Sequence, residues 1–162
     1  MATSTRFAVG VHLLTALAVN PGKILRSEDV ADSANTNPVV VRRLFSLMTS
    51  SGLINARLGP GGGFELARPA SDITLRDVFA AVESGELITE HRSPPSASCP
   101  VGAHILPVLR EATAPAVEAL AEKLSRTTIA DIAGGVLARS KEAERADATF
   151  VRARGRRLIL RN

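Results

Sequence analysis

The tightest constraint on the fold lies in residues 35–66, NTNPVVVRRLFSLMTSSGLINARLGPGGGFEL. Asn37 is a natural N-cap, because its side-chain oxygen can accept a free N–H of the first helical turn, and Pro38 sits where a missing N–H costs nothing. Val41, Leu44, Phe45 and Met48 follow at helical spacing, so one face is apolar and Arg42 and Arg43 fall outside it. Gly52 supplies a left-handed stop. Short strands are predicted over residues 53–58 and 64–66, joined by Gly59-Pro60-Gly61-Gly62-Gly63, a tight turn poor in side chains. That order of elements predicts a mostly α fold with a small β-wing, a winged helix-turn-helix.

The residues before it complete the unit. Residues 6–19 place Phe7, Val11, Leu14 and Ala18 on one face, widened by Leu13 and Leu17, and predict a buried helix that Asn20-Pro21-Gly22 ends. His12 lies beside that stripe and reads as a partly buried structural histidine. Ser27 reads as the cap of a short helix over residues 28–34, with Glu28 and Asp29 in its acidic first turn and Val30 and Ala31 packing inward. Only residues 35–37 separate it from the Pro38 helix. Two helices joined so closely are the unit whose second member enters the DNA major groove. Contacts to double-stranded DNA are therefore expected from Thr36, Asn37, Val39, Val40, Arg42 and Arg43, with Ser27 beside them. Arg6 is expected on a phosphate. A nucleotide-binding glycine loop would need a helix after it, but Phe64-Glu65-Leu66 reads as strand. Arg57, Gly61, Gly62 and Gly63 are accordingly expected to form a wing at the minor groove.

Farther on, Thr74 and Asp77 have capping-box spacing and open a helix that runs to about residue 83, with Leu75, Val78, Phe79 and Val82 on one face. Residues 85–98 read as a loop. From Cys99-Pro100 a long pattern carries Ile105, Leu109, Ala112, Ala116, Leu120 and Leu124 on one stripe, longer than a small core needs and suited to dimerisation. A kink or break is expected near Pro115, since an internal proline costs roughly 3 kcal/mol. A short turn is expected over residues 128–132. The expected division is a DNA-binding domain over residues 1–70, a sensor loop and dimerisation helices over 71–133, and a basic, partly mobile tail over 134–162, in which residues 151–160 are a candidate basic helix. Charge follows it: seven Lys and Arg against four Asp and Glu in the first part, five against nine in the second, eight against three in the third. Tail residues Arg152, Arg154, Arg156, Arg157 and Arg161 are candidates for further phosphate contacts.

Several classes are disfavoured. With no Trp or Tyr and five Phe, the chain lacks stacking platforms for single strands. No apolar run reaches membrane-spanning length and the N-terminus lacks signal-peptide regions, so a cytoplasmic protein is expected. One cysteine excludes an internal disulfide framework, and no Cys/His array has zinc-site spacing. No nucleophile, base and orienting group assemble from the motifs, so no enzyme is expected. Cys99, next to Pro100, falls at a helix N-terminus, where partial positive charge favours thiolate. With His91 and His104 near, it reads either as a sensor of oxidants or electrophiles or as a small residue packing the helix start. A metal held by His91, Cys99 and His104 is the weaker pattern.

The chain closely resembles the Rrf2 family of bacterial transcription regulators. The resemblance is carried by SEDVADSANTNPVVVRRLFSLMTSSGLI, the wing GPGGGFELARP, then ITLRDVFAAVE, CPVGAHI and LSRTTIADI, most of residues 6–132. It implies a homodimer with two winged domains, a long helix crossing between protomers, a sensing loop before it, and repression at a near-palindromic operator. Cluster-binding members of the family place three loop cysteines on an iron–sulfur cluster. This chain has Cys99 alone and looks like the cluster-free branch with a single Cys-Pro-Val-Gly motif, so no cofactor is expected. The alternatives are a protein-interaction adaptor on the same fold or a metal-responsive or iron–sulfur-responsive regulator.

Overall fold

The computed structural model describes residues 5–83, 88, 91 and 93–159, and of residues 146–159 the backbone alone. Helix α1 (Arg6–Ala18) is followed by α2 (Ser27–Ser33) and α3 (Pro38–Ser50). Strands β1 (Ile54–Arg57) and β2 (Gly63–Leu66) come next, then a 3-10 turn (Ala70–Asp72), α4 (Leu75–Val82), α5 (Pro100–Ser125) and α6 (Ile129–Ile159). The strands pair antiparallel from Ile54 opposite Leu66 to Arg57 opposite Gly63. Mostly helical with a two-stranded wing, the fold is the one the pattern predicts.

Local chemistry sets the expected boundaries. The Val39 N–H donates to Asn37 Oδ1 at 2.8 Å, capping α3. Gly52 takes φ +68°, the left-handed conformation an L side chain resists. At α4, the Asp77 N–H donates to Thr74 Oγ1 at 3.1 Å while the Thr74 N–H donates to Asp77 Oδ2 at 2.9 Å, a complete capping box. The cap of α2 differs from expectation. Ser27 is the first helical residue, the cap is Arg26, and the Arg26 N–H donates to Asp29 Oδ2 at 3.3 Å. His12 also differs, being exposed, with Nε2 at 3.0 Å from Ser33 Oγ, so it links α1 to α2 at the surface.

The core gathers Leu13, Leu14 and Leu17 of α1, Val30 and Ala31 of α2, and Val41, Leu44, Phe45 and Met48 of α3. Leu53 and Ile54 join it from the strand side, Ile73, Val78 and Val82 from around α4, and Ile129 from α6. The boundary expected after residue 70 therefore runs through a single core. Ile129 enters because α4 and α6 begin side by side: Leu75 N–H donates to Thr127 O at 2.9 Å and Ile129 N–H to Ile73 O at 2.8 Å. The start of α6 repeats the capping box, with Asp131 Oδ2 accepting the Thr128 N–H at 2.8 Å and the Asp131 N–H donating to Thr128 Oγ1 at 3.1 Å. Those bonds from Thr128 hold the Asp131 carboxyl below the usual carboxylate range.

Of the kink or break expected near Pro115 the break is absent, and the short turn expected over residues 128–132 is corrected. Helix α5 continues through Pro107 and Pro115 without a break. The carbonyls deprived of an N–H partner are those of Ala103 and Glu111, both on exposed residues where water can take their place. The turn expected over residues 128–132 is instead the opening of a 31-residue helix that carries the presumed tail to Ile159. Without an apolar stripe of its own, that segment gives no periodic signal; its start is held by Ile129 and by Ala133, both buried. The side chains of Arg152, Arg154, Arg156, Arg157 and Arg161 lie outside the described residues, as does most of the segment 84–92.

Candidate nucleic-acid interface

Helix α3 is divided along its length. Val41, Leu44, Phe45 and Met48 are buried, while Val39, Val40, Arg42, Arg43 and Leu47 face outward, Val39 at 63% exposure. An exposed valine pair beside two arginines has no role in packing the core, but suits thymine methyl groups and guanine edges in a major groove. Thr36 is half-buried and Asn37 exposed. Capping commits the Asn37 oxygen and leaves its amino group as the donor for a neighbour. Asn35, at φ 45°, turns the chain between α2 and α3, and the Thr36 N–H donates to Ala31 O at 3.0 Å, so the turn is fixed to α2.

Ser27 does not belong on the outward surface. It is buried, and its hydroxyl donates to Glu28 Oε1 at 3.0 Å. Its hydroxyl therefore serves Glu28, correcting the expectation of a direct side-chain contact to DNA. Arg42 Nη1 lies 2.9 Å from the same Glu28 oxygen, tying α3 to α2 at the surface. Arg43 forms no ion pair among the described residues. Arg6 is exposed at the start of α1.

The wing is shaped by close approaches of backbone. Gly59 and Gly61 adopt φ +91° and +79°. A Cβ on Gly62 would lie 2.3 Å from the Arg57 carbonyl oxygen, and one on Gly63 would lie 2.5 Å from the Leu25 carbonyl oxygen. Gly63 thus lets β2 lie against the segment before α2, where Leu25 N–H donates to Phe64 O at 3.1 Å and Phe64 N–H to Leu25 O at 2.9 Å. The Phe64 ring stacks on Phe45 of α3 with centroids 4.0 Å apart, so the wing and α3 share one support. Arg57 Nε pairs with Glu65 Oε1 at 3.2 Å across the wing. Leu58, at 96% exposure, begins the turn. The strand predicted over 53–58 thus ends one residue early, and a leucine directly before Gly-Pro-Gly cannot be buried by a two-stranded hairpin.

The residues expected to act as a sensor lie at and before the start of α5. Cys99 is exposed and is the N-cap residue of α5. Its backbone is held by a turn in which Cys99 N–H donates to Ser96 O at 3.2 Å. The backbone N–H of Gly102, and then that of Val101, hold the thiol below its ordinary range, with desolvation pushing weakly the other way. His91 and His104 are exposed, and among the described residues no three His, Cys, Asp or Glu side chains gather as metal ligands. A thiol so held ionises at lower pH than free cysteine. Its alkylation by iodoacetamide should reach half-maximal rate at a pH below that of free cysteine. Gly102→Ala would place a methyl 2.2 Å from the Ser96 carbonyl oxygen, displacing the turn from the helix end and moving that midpoint upward. An unmoved midpoint would discount the helix-end amides as its cause.

Along α5, Ile105, Leu109 and Leu124 are half-buried, and Ala112, Ala116 and Leu120 are exposed. No α5 residue is buried, and Val101 and Val108 add exposed apolar surface outside the expected stripe. No helix among the described residues is long and apolar enough to cross a membrane.

Comparison with known proteins agrees with this geometry. The Rrf2 family model, described as an iron-dependent transcriptional regulator, matches residues 3–135. YwnA of Bacillus subtilis, named as a candidate HTH-type transcriptional regulator, is 33% identical over 129 residues, 80% of this chain and 95% of that protein. The HTH-type transcriptional regulator IscR of Cereibacter sphaeroides is 34% identical over 84 residues, 51% of this chain and 54% of that protein. Among solved structures, CymR, the global cysteine regulator of B. subtilis, superposes with a TM-score of 0.62 at 22% identity, covering 83% of this chain and 97% of CymR.

Proposed function

Because this chain belongs to the Rrf2 family of transcriptional regulators, we propose that it reads double-stranded DNA sequence-specifically through α3 and the wing, as a homodimeric repressor on a near-palindromic operator. The observation that carries the reading is the division of α3, whose inner face is wholly core while Val39, Val40, Arg42 and Arg43 stand outward. Thr36 and Asn37 lie at the end of α3 that enters the groove first. Gly61, Gly62 and Gly63 bring the wing backbone to the minor groove with Arg57 beside it, and Arg6 takes a phosphate. The exposed apolar side chains of α5 support a second copy as its partner. Two heads then meet two half-sites about one helical turn apart, roughly 34–36 Å. Repression is the simplest outcome of a dimer covering its operator.

The signal enters at Cys99, with His91 and His104 along the same approach to α5. Its exposure and depressed thiol pKa support reaction with an oxidant or electrophile. A change at the foot of α5 shifts the crossing of the dimer helices and with it the spacing of the heads. The family's description implies iron, and the donor set does not fit it. Cys99 is the sole cysteine, and the described residues gather no metal-ligand cluster.

The test is selection of bound fragments from the source genome, followed by titration of the recovered sequence and of scrambled DNA at two salt concentrations. The selected sequence should bind on the order of a thousandfold more tightly or better than scrambled DNA at physiological salt, with one dimer per site. Equal binding of both would support an adaptor that has lost base recognition. Full sensitivity to peroxide and electrophiles in Cys99→Ser would remove Cys99 as the sensor without touching the DNA reading.

A further inference from the structure

The arginines of this surface are not alike. Arg42 is tied to Glu28 across 14 residues of chain, at 2.9 Å, with both side chains more than half exposed. Glu28 is itself fixed from the other side, because the buried Ser27 donates its hydroxyl to the same oxygen. Arg43, one position on, has no ion pair among the described residues. A solvent-exposed pair of this kind adds little to folding, and a carboxylate on a DNA-facing surface repels phosphate. The first turn of α2 gives Glu28 a stabilising place, but stability does not account for its pairing with Arg42.

Resting on the DNA-regulator reading above, we propose that Glu28 is the positioning residue that makes Arg42 a reader of guanine rather than a phosphate clamp. Affinity for phosphate comes from net charge through counterion release. Arg42 and Glu28 together carry none, so the pair gains nothing from the backbone. A guanine edge rewards geometry instead: two parallel N–H bonds to O6 and N7. The guanidinium has five N–H groups and Glu28 takes one, leaving enough donors for that edge. The brace also settles the rotamers of a long side chain before DNA arrives, which lowers the entropy lost on binding. Arg43, unbraced and charged, is left to the phosphates. The carboxylate is kept ionised by its own backbone N–H, by Ser27 and by Arg42, so the brace persists at neutral pH.

Glu28→Gln removes the charge and keeps the shape. In fluorescence-anisotropy titrations of the full chain, with each G·C pair of the selected operator inverted in turn, three changes are expected. Discrimination at one G·C pair per half-site falls on the order of tenfold, within the roughly 5- to 150-fold that a bidentate contact supplies. Scrambled DNA binds more tightly. The log–log salt dependence steepens by about 0.9 for each site at which Arg42 is released onto phosphate. A variant that gains affinity for operator and scrambled DNA by the same factor would overturn the proposal, since Glu28 would then only repel. Unchanged discrimination at every G·C pair would overturn it equally. If the wild-type chain itself fails to prefer the selected sequence, the underlying DNA-regulator reading falls, a result separable from failure of the Glu28 brace alone.

Discussion

Phe45→Ala is expected to lower folding stability by about 3–5 kcal/mol, the range for truncating a buried phenylalanine to alanine. Phe45 is fully buried within the core that α1, α2, α3 and α6 share, and its ring stacks on Phe64. Truncation thus removes packing from the core and the support of the wing at once. Total stability of a domain is roughly 5–15 kcal/mol, so the variant should be marginal near 37 °C. Urea denaturation followed by circular dichroism measures the loss. A change under about 1 kcal/mol would mean that the surrounding side chains collapse into the gap, against their tight burial.

Gly63→Ala should have a large effect on how the wing is docked. The added methyl would meet the Leu25 carbonyl oxygen at 2.5 Å, a backbone atom that cannot swing away, and would also press on the Ile24 side chain. Relief requires β2 to lift from Leu25, breaking the paired bonds there and sliding Phe64 off Phe45. Overpacking of this kind costs roughly 1–3 kcal/mol, and operator affinity should fall further because the wing is no longer aimed. Gly61→Ala is the comparison. It meets nothing within 4 Å and is strained only by φ +79°. Operator binding, measured at a temperature where both variants remain folded, should be weaker for Gly63→Ala than for Gly61→Ala. The opposite ranking would show that the shape of the turn, not its docking on Leu25, directs the wing.

Features governed by residues near one another in the chain were legible from the letters. Asn37 and Thr74 cap their helices with bonds two and three residues away, and Gly52 adopts the stop its lack of a Cβ allows. Binary patterning likewise assigned the buried face of α3, because a helix that packs on one side repeats its apolar residues every three or four positions. Contacts between distant segments were not legible. The pairing of Glu28 with Arg42 depends on how α2 crosses α3, and either residue alone reads as a solvated charge. Ser27 looked like a cap because serine favours that position; the chain instead capped through Arg26 and Asp29, which left Ser27 inside. Helix α6 was underestimated because its polar length carries no stripe, while the few residues that anchor it, Ile129 and Ala133, lie at its very start. The prolines of α5 do not break it, because the residues whose carbonyls lose a partner, Ala103 and Glu111, are exposed.

The insertion of Ile129 into the core has a consequence for how the protein is made. Chains emerge N-terminus first and domains close as units during synthesis. Here α1, α2, α3 and the wing are complete by Leu66, yet their core gains Ile73, Val78 and Val82 only around α4, and its last fully buried member, Ile129, 63 residues after Leu66. Helix α5 has been synthesised by then. A nascent chain halted before that point is expected to leave this core open where Ile129 would pack. The order of translation thereby leaves the closing of this core until α5 has been made.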